Sequence, residues 1–121
     1  MILQEHQAMI DALQAEDDIP VLAGLQRQGD VLIIPTRRGN TAGLVPIPPE
    51  GIPAVRGQHT HLLVGAGSYA ARNQGIDLGT LVVDDVVWML HDEHGGNAIA
   101  AGTYLLRGKQ EMAAELRRVA D

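Results

Sequence analysis

The sequence predicts a mainly β protein: a small β-barrel or sandwich of about six short antiparallel strands with an N-terminal and a C-terminal helix. Three observations carry this. Fourteen glycines and six prolines punctuate 121 residues too often for long helices. The apolar runs between them are short and rich in Val and Ile, as strands require. Only the two ends of the chain space their apolar residues by three and four. The length fits a single domain over residues 1–121, and an apolar content of 45% is enough for a core. With no Phe, one Trp and two Tyr, that core must come from aliphatic side chains.

The first helix is expected over residues 3–16, within an N-terminal segment 1–18. Leu3, His6, Met9, Ile10 and Leu13 lie on one side, and Asp17, Asp18 and Pro20 end it. The β core spans 26–108. Gln28-Gly29-Asp30 reads as a turn, residues 31–34 as a buried strand stopped by Pro35, and 35–43 as a polar loop. Four prolines within 46–53 fit an extended connector or an edge segment. A strand begins at His61 and is expected to break at Gly65-Ala66-Gly67-Ser68. Residues 81–83 and 86–90 read as a hairpin turning at Asp84-Asp85. Gly95-Gly96-Asn97 is a turn, and 98–100 and 103–106 are short strands around Ala101-Gly102. Residues 109–121 close the chain, with a helix placing Met112, Leu116 and Val119 on one face.

Several function classes are disfavoured. A net charge of −6 argues against nucleic acid, since phosphate binding needs clustered Lys and Arg and only Arg37-Arg38 and Arg117-Arg118 are adjacent. The absence of Cys removes disulfides, thiolate ligands and a Cys nucleophile. No apolar run reaches the roughly 18 residues that span a bilayer. The acid- and Gln-rich start is unlike a signal peptide, so a cytoplasmic location is expected. The stretch Gly65-x-Gly67-x-x-Ala70 imitates a dinucleotide-binding fingerprint, but Gly75 and Gly79 interrupt the helix that would hold the pyrophosphate. A glycine-rich turn between antiparallel strands is the preferred reading. Ser68, the only serine, lacks a nucleophile-elbow context, and Lys109, the only lysine, is a poor dyad partner.

The chemistry concentrates in histidine. Four of the five histidines fall in His59-Thr60-His61 and His91-Asp92-Glu93-His94. On a strand, His59 and His61 project to one face. His91 and Glu93 share a face if the chain stays extended, whereas His91 and His94 converge if it turns. Either way nitrogen and carboxylate donors gather, a set suited to a divalent metal such as Zn, Fe, Mn or Ni. The expected ligands are His59, His61, His91 and His94, with Glu93 as a ligand or general base. The competing readings are histidines that only bond the local backbone, and a polar acid–base site with no metal. His6, on the apolar side of the first helix, reads as packing; Trp88 reads as core and Asp84-Asp85 as a turn.

These residues also carry a resemblance. Gln28-Gly29-Asp30-Val31-Leu32-x-x-Pro35, Gly57-x-His59-x-His61, His91-x-Glu93-His94, Gly102-Thr103-Tyr104 and the closing Arg117-Arg118-Val119-Ala120-Asp121 resemble an uncharacterised family of small bacterial and phage proteins. Its pattern runs QGDVLL-P, G-H-x-H, H-E-E-H, P-P-G-x-Y and R-x-V-x-D. The resemblance covers most of 26–121 and departs at Ala100-Ala101 and at Met112. It implies that the two histidine pairs belong together, and it brings no established activity. A weaker similarity is to cupins, metal-binding barrels that share the His-x-His but follow it with a Glu that this chain lacks. The primary expectation is therefore a metal-binding β-barrel. The alternatives are a phage-type structural or accessory protein without metal, virion-associated and partnered by a phage or host protein, and a small metal-dependent hydrolase or oxygenase. Self-association into a homo-oligomer is compatible with any of them.

Overall fold

Three strands of 14, 15 and 14 residues make most of the sheet, far beyond the usual five or six. The computed structural model describes residues 2–17, 19–55, 60–92 and 95–108. Its elements are α1 (Gln4–Asp17), β1 (Val21–Leu22), β2 (Gln26–Gln28), β3 (Val31–Pro35), β4 (Val45–Pro46), β5 (Ile52–Val55), β6 (His61–Gln74), β7 (Asp77–His91) and β8 (Gly95–Gly108). They form an eight-stranded sheet ordered β2-β3-β8-β7-β6-β4, with β5 also on β6 and β1 parallel to β8. All other pairings are antiparallel.

The protein is thus mainly β with an N-terminal helix, as the sequence predicts, but the strand count and lengths differ. The segments read as separate short strands are continuous. Gly65 to Ser68 lies inside β6, and Ala101-Gly102 lies inside β8. Asp84-Asp85 is not a hairpin turn; both residues sit in the middle of β7. The β6–β7 reversal occurs instead at Gly75-Ile76, between Gln74 and Asp77. The dinucleotide fingerprint is excluded as well, since Gly65, Gly67 and Ala70 are strand residues and no helix starts there. The helix expected over 109–121 lies outside the described residues.

The misread punctuation marks bulges. Between the pairings Gly65↔Val87 and Gly67↔Val83, β6 contributes Ala66 alone while β7 contributes Asp84, Asp85 and Val86. On the other side of β7, Asp84 and Asp85 face only Ala101 of β8. Surplus residues on one strand bend it and sharpen the local twist. The glycines permit this. Gly65 has φ +127°, and a Cβ there would stand 2.5 Å from the Val86 carbonyl oxygen; one at Gly67 would stand 2.5 Å from that of Val82.

The bend is large. Gln26 pairs with Ile33, which pairs with Leu106 near the end of β8, yet the Gln26 amide donates to the Ala98 carbonyl near its start. Eight residues of straight strand would separate those positions by about 27 Å. The sheet therefore curls, with β2 at one edge and β4 and β5 flanking the other; among the described residues it does not close into a barrel.

Alternation along the strands divides the core. Val31, Ile33, Leu63, Tyr69, Leu81, Val87, Met89, Ile99, Tyr104 and Leu106 fill the concave side. On the convex side Val64, Trp88, Leu90 and Ala98 receive Ile10 of α1. Gly96 lets the helix approach, because a Cβ there would lie 3.0 Å from both Leu13 and Trp88. At the far end the loop after β3 lies over the sheet, held by Arg72, whose guanidinium donates to the carbonyls of Asn40 and Ala42 at 2.7 Å each.

Candidate functional site

The ends of β6 and β7 meet at one rim of the concave face. Leu62 pairs with Leu90, so His61 and His91 stand on the next rung, and their odd-numbered neighbours Leu63 and Met89 fix them as core-facing. Both are 4% exposed, and their ring centroids are 4.3 Å apart with planes tilted by 42°. The pairing joins one histidine from each sequence cluster. Of the other predicted site residues, His59, Glu93 and His94 lie outside the described residues.

Below the two rings runs a chain of amides, buried at Gln28 and Gln26 and partly buried at Asn97. Gln28, 2% exposed, projects from β2, and its Oε1 lies 2.9 Å from Nδ1 of His61. Its Nε2 donates to the Met89 carbonyl at 2.7 Å and to Oδ1 of Asn97 at 3.1 Å. Asn97 in turn donates to Oε1 of Gln26 at 3.2 Å, and Gln26 donates to the carbonyls of Ala98 and Leu22. Burying such groups costs free energy unless each finds a partner. Here the groups come from five strands, so the network also ties β2 to β1, β6, β7 and β8.

The hydrogen-bond directions fix the chemistry of His61. With both Gln28 amide protons directed at acceptors, its oxygen can only accept. Nδ1 of His61 therefore carries a proton, and in the neutral ring Nε2 holds the lone pair. His91 is arranged similarly, with Nδ1 3.3 Å from Oδ1 of Asp92, a carboxylate 59% exposed. An acceptor facing Nδ1 is the arrangement that orients metal-ligating histidines.

Sequence reasoning missed Gln26, Gln28 and Asn97. The glutamines are two apart and share a strand face, which is a legible signal, but Gln-Arg-Gln beside Gly-Asp looks like solvated chain. Gly95-Gly96-Asn97 reads as a turn but is the start of β8, which places Asn97 on the strand. Tyr69 carries no such signal: its hydroxyl is buried beside Gly79 with no hydrogen-bond partner among the described residues, and burial pushes its ionisation above the ordinary tyrosine range, with the charge of Arg72 opposing. Asp84 and Asp85, read as a turn, are instead the bulge of β7, both exposed. Trp88 is core, as expected.

Among the described residues, no three His, Asp or Glu side chains gather closely enough to hold a metal ion. No helix among them is long and apolar enough to cross a membrane. No curated protein and no solved structure matches the chain. A family model does match, over residues 27–109, a span that takes in Gln28, His61, His91 and Asn97 and leaves out α1. The expectation of an uncharacterised family holds, and the chain belongs to DUF8820, a domain family of unknown function.

Proposed function

We propose that this rim is a divalent-metal site in which His61 and His91 are ligands through Nε2. The supporting observation is the pair itself: two buried imidazoles from neighbouring strands, each with Nδ1 facing an oxygen acceptor, Gln28 for one and Asp92 for the other. Nitrogen donors on a rigid sheet suit zinc, iron(II), manganese(II) or nickel(II). The remaining ligands are drawn from His59, two residues before His61, and from His94, three residues after His91. Glu93 completes the set or serves as a base beside a metal-bound water, whose pKa such a site lowers to about 7. The curled sheet supplies the wall of a barrel-like site.

Protein purified without a histidine tag and titrated with Zn²⁺, Fe²⁺, Mn²⁺ and Ni²⁺ tests the proposal. One ion per chain is expected for at least one metal, with a rise in melting temperature that His61→Ala and His91→Ala each abolish. Absence of binding and of stabilisation by all four metals would overturn it, as would binding that survives both substitutions.

A further inference from the structure

On the convex side, away from His61 and His91, α1 does not seal the sheet. A cleft of about 450 Å³ opens between the helix and the strands, directly over the double bulge. That volume lies within the range of small-molecule sites. Its apolar surface comes from Ile10 of α1, Val21 of β1, and Val86 and Trp88 of β7. The backbone of Gly65 and Ala66 forms part of the wall, where the ladder is interrupted.

The bulge also sets the electrostatics. The extra residues in β7 bring Asp85 to the edge of the cleft, exposed and with no ion pair or hydrogen bond among the described residues. It is the one charged side chain lining the cleft among those residues. Gln7 is held by Asp11, to which its amide donates at 2.9 Å, so it offers its carbonyl oxygen as a second acceptor. An apolar floor with acceptors at the rim complements an organic cation. The chain's net charge of −6 favours the approach of positive ligands and disfavours anions.

We propose that this cleft binds a small organic cation, an ammonium group carried on an apolar body, with the ammonium at Asp85 and the apolar part against Val86 and Trp88. The reading is independent of the proposed metal site at His61 and His91, which face the concave side.

Trp88 is the only tryptophan in the chain, so its fluorescence reports on the cleft directly. The probes are cyclohexylmethylamine, cyclohexylmethanol and cyclohexanecarboxylate, which share a body and differ in the head group. The amine is expected to give a saturable change in Trp88 emission, matched by calorimetry, with the alcohol weaker and the carboxylate silent. Asp85→Asn is expected to weaken the amine by about tenfold or more, because it removes the charge at the cleft while leaving shape intact. Asp84→Asn, on the same bulge but outside the lining, is expected to change affinity by less than about twofold, since an exposed charge farther off is screened. No saturable change, equal affinity for all three probes, or equal losses in the two Asp variants would each overturn the proposal.

Discussion

Oε1 of Gln28 lies 2.9 Å from Nδ1 of His61, although β2 and β6 are separated in the sheet by β3, β8 and β7. In a flat sheet four steps span about 19 Å, so the contact exists only because the bulged strands curl. Gln28→Leu keeps the approximate volume and removes both the acceptor for His61 and the donors to Met89 and Asn97. The polar groups left buried should cost about 2–4 kcal/mol, read by denaturant titration. Long-range ¹H–¹⁵N spectra of the metal-free protein should show His61 protonated at Nδ1 in the wild type, with that preference lost in the variant. Gln28→Glu should keep the Nδ1 preference, because a carboxylate still accepts from His61, but should not restore the stability, because it cannot donate to the Met89 carbonyl or to Asn97 Oδ1.

The glycines at the bulge and at the β6–β7 turn should behave very differently. Gly65→Ala drives a Cβ to 2.5 Å from the Val86 carbonyl in a conformation with φ +127°, and Gly67→Ala does the same to the Val82 carbonyl at ordinary φ. Backbone must move in both cases, and a loss of about 3 kcal/mol or failure to fold is expected, as overpacking against backbone produces. Gly75 has φ +61° with nothing within 4 Å of its would-be Cβ. Gly75→Ala should therefore cost only about 1 kcal/mol, the left-handed penalty alone. Thermal unfolding of the three variants checks the ranking.

This contrast also explains what the sequence disclosed. The apolar runs at 31–34, 61–64 and 86–90 are local, so the strands there and the helix at Ile10 are legible. Gly65, Gly67, Asp84-Asp85 and Gly102 read as turns because glycine and paired acids usually are. Their role as bulges depends on which strand lies alongside, information no local window contains. The two histidine clusters are legible and are expected to share one site, but the contact of His61 with His91 across the ladder depends on strand register, which no local window carries. Gln28 escaped notice because its burial follows from the curl, which is the last feature a linear reading can supply.

At the proposed metal site, Asp92 should act on affinity without acting on the fold. Its carboxylate is 59% exposed and 3.3 Å from Nδ1 of His91, so solvent screens much of the pair. Asp92→Asn should leave stability within about 0.5 kcal/mol, the usual range for an exposed pair. Exchanging the carboxylate that faces the ring for a neutral amide, a weaker acceptor for the Nδ1 proton, should weaken metal binding by about 10-fold or more. Competitive zinc titration against a chromophoric chelator reads the second effect, and an unchanged affinity would show that Asp92 has no part in orienting His91.

Tyr69 should prove more stable as phenylalanine. Its hydroxyl is buried with no hydrogen-bond partner among the described residues, which leaves the desolvation of the O–H without an offset from them. Tyr69→Phe keeps the ring and should gain about 1 kcal/mol. Burial raises the folded-state pKa above the ordinary 10.0, with Arg72 opposing only in part. The raised value means the folded state keeps the proton longer than the unfolded chain. The stability linked to it is fully present below pH 10 and is lost as pH climbs above that value, where the unfolded tyrosine ionises first. The wild type should therefore lose more stability than Tyr69→Phe between pH 9 and 11 or so, a difference that denaturant midpoints across that window measure. Parallel pH curves for the two proteins would show that the Tyr69 hydroxyl has a partner or solvent access in solution.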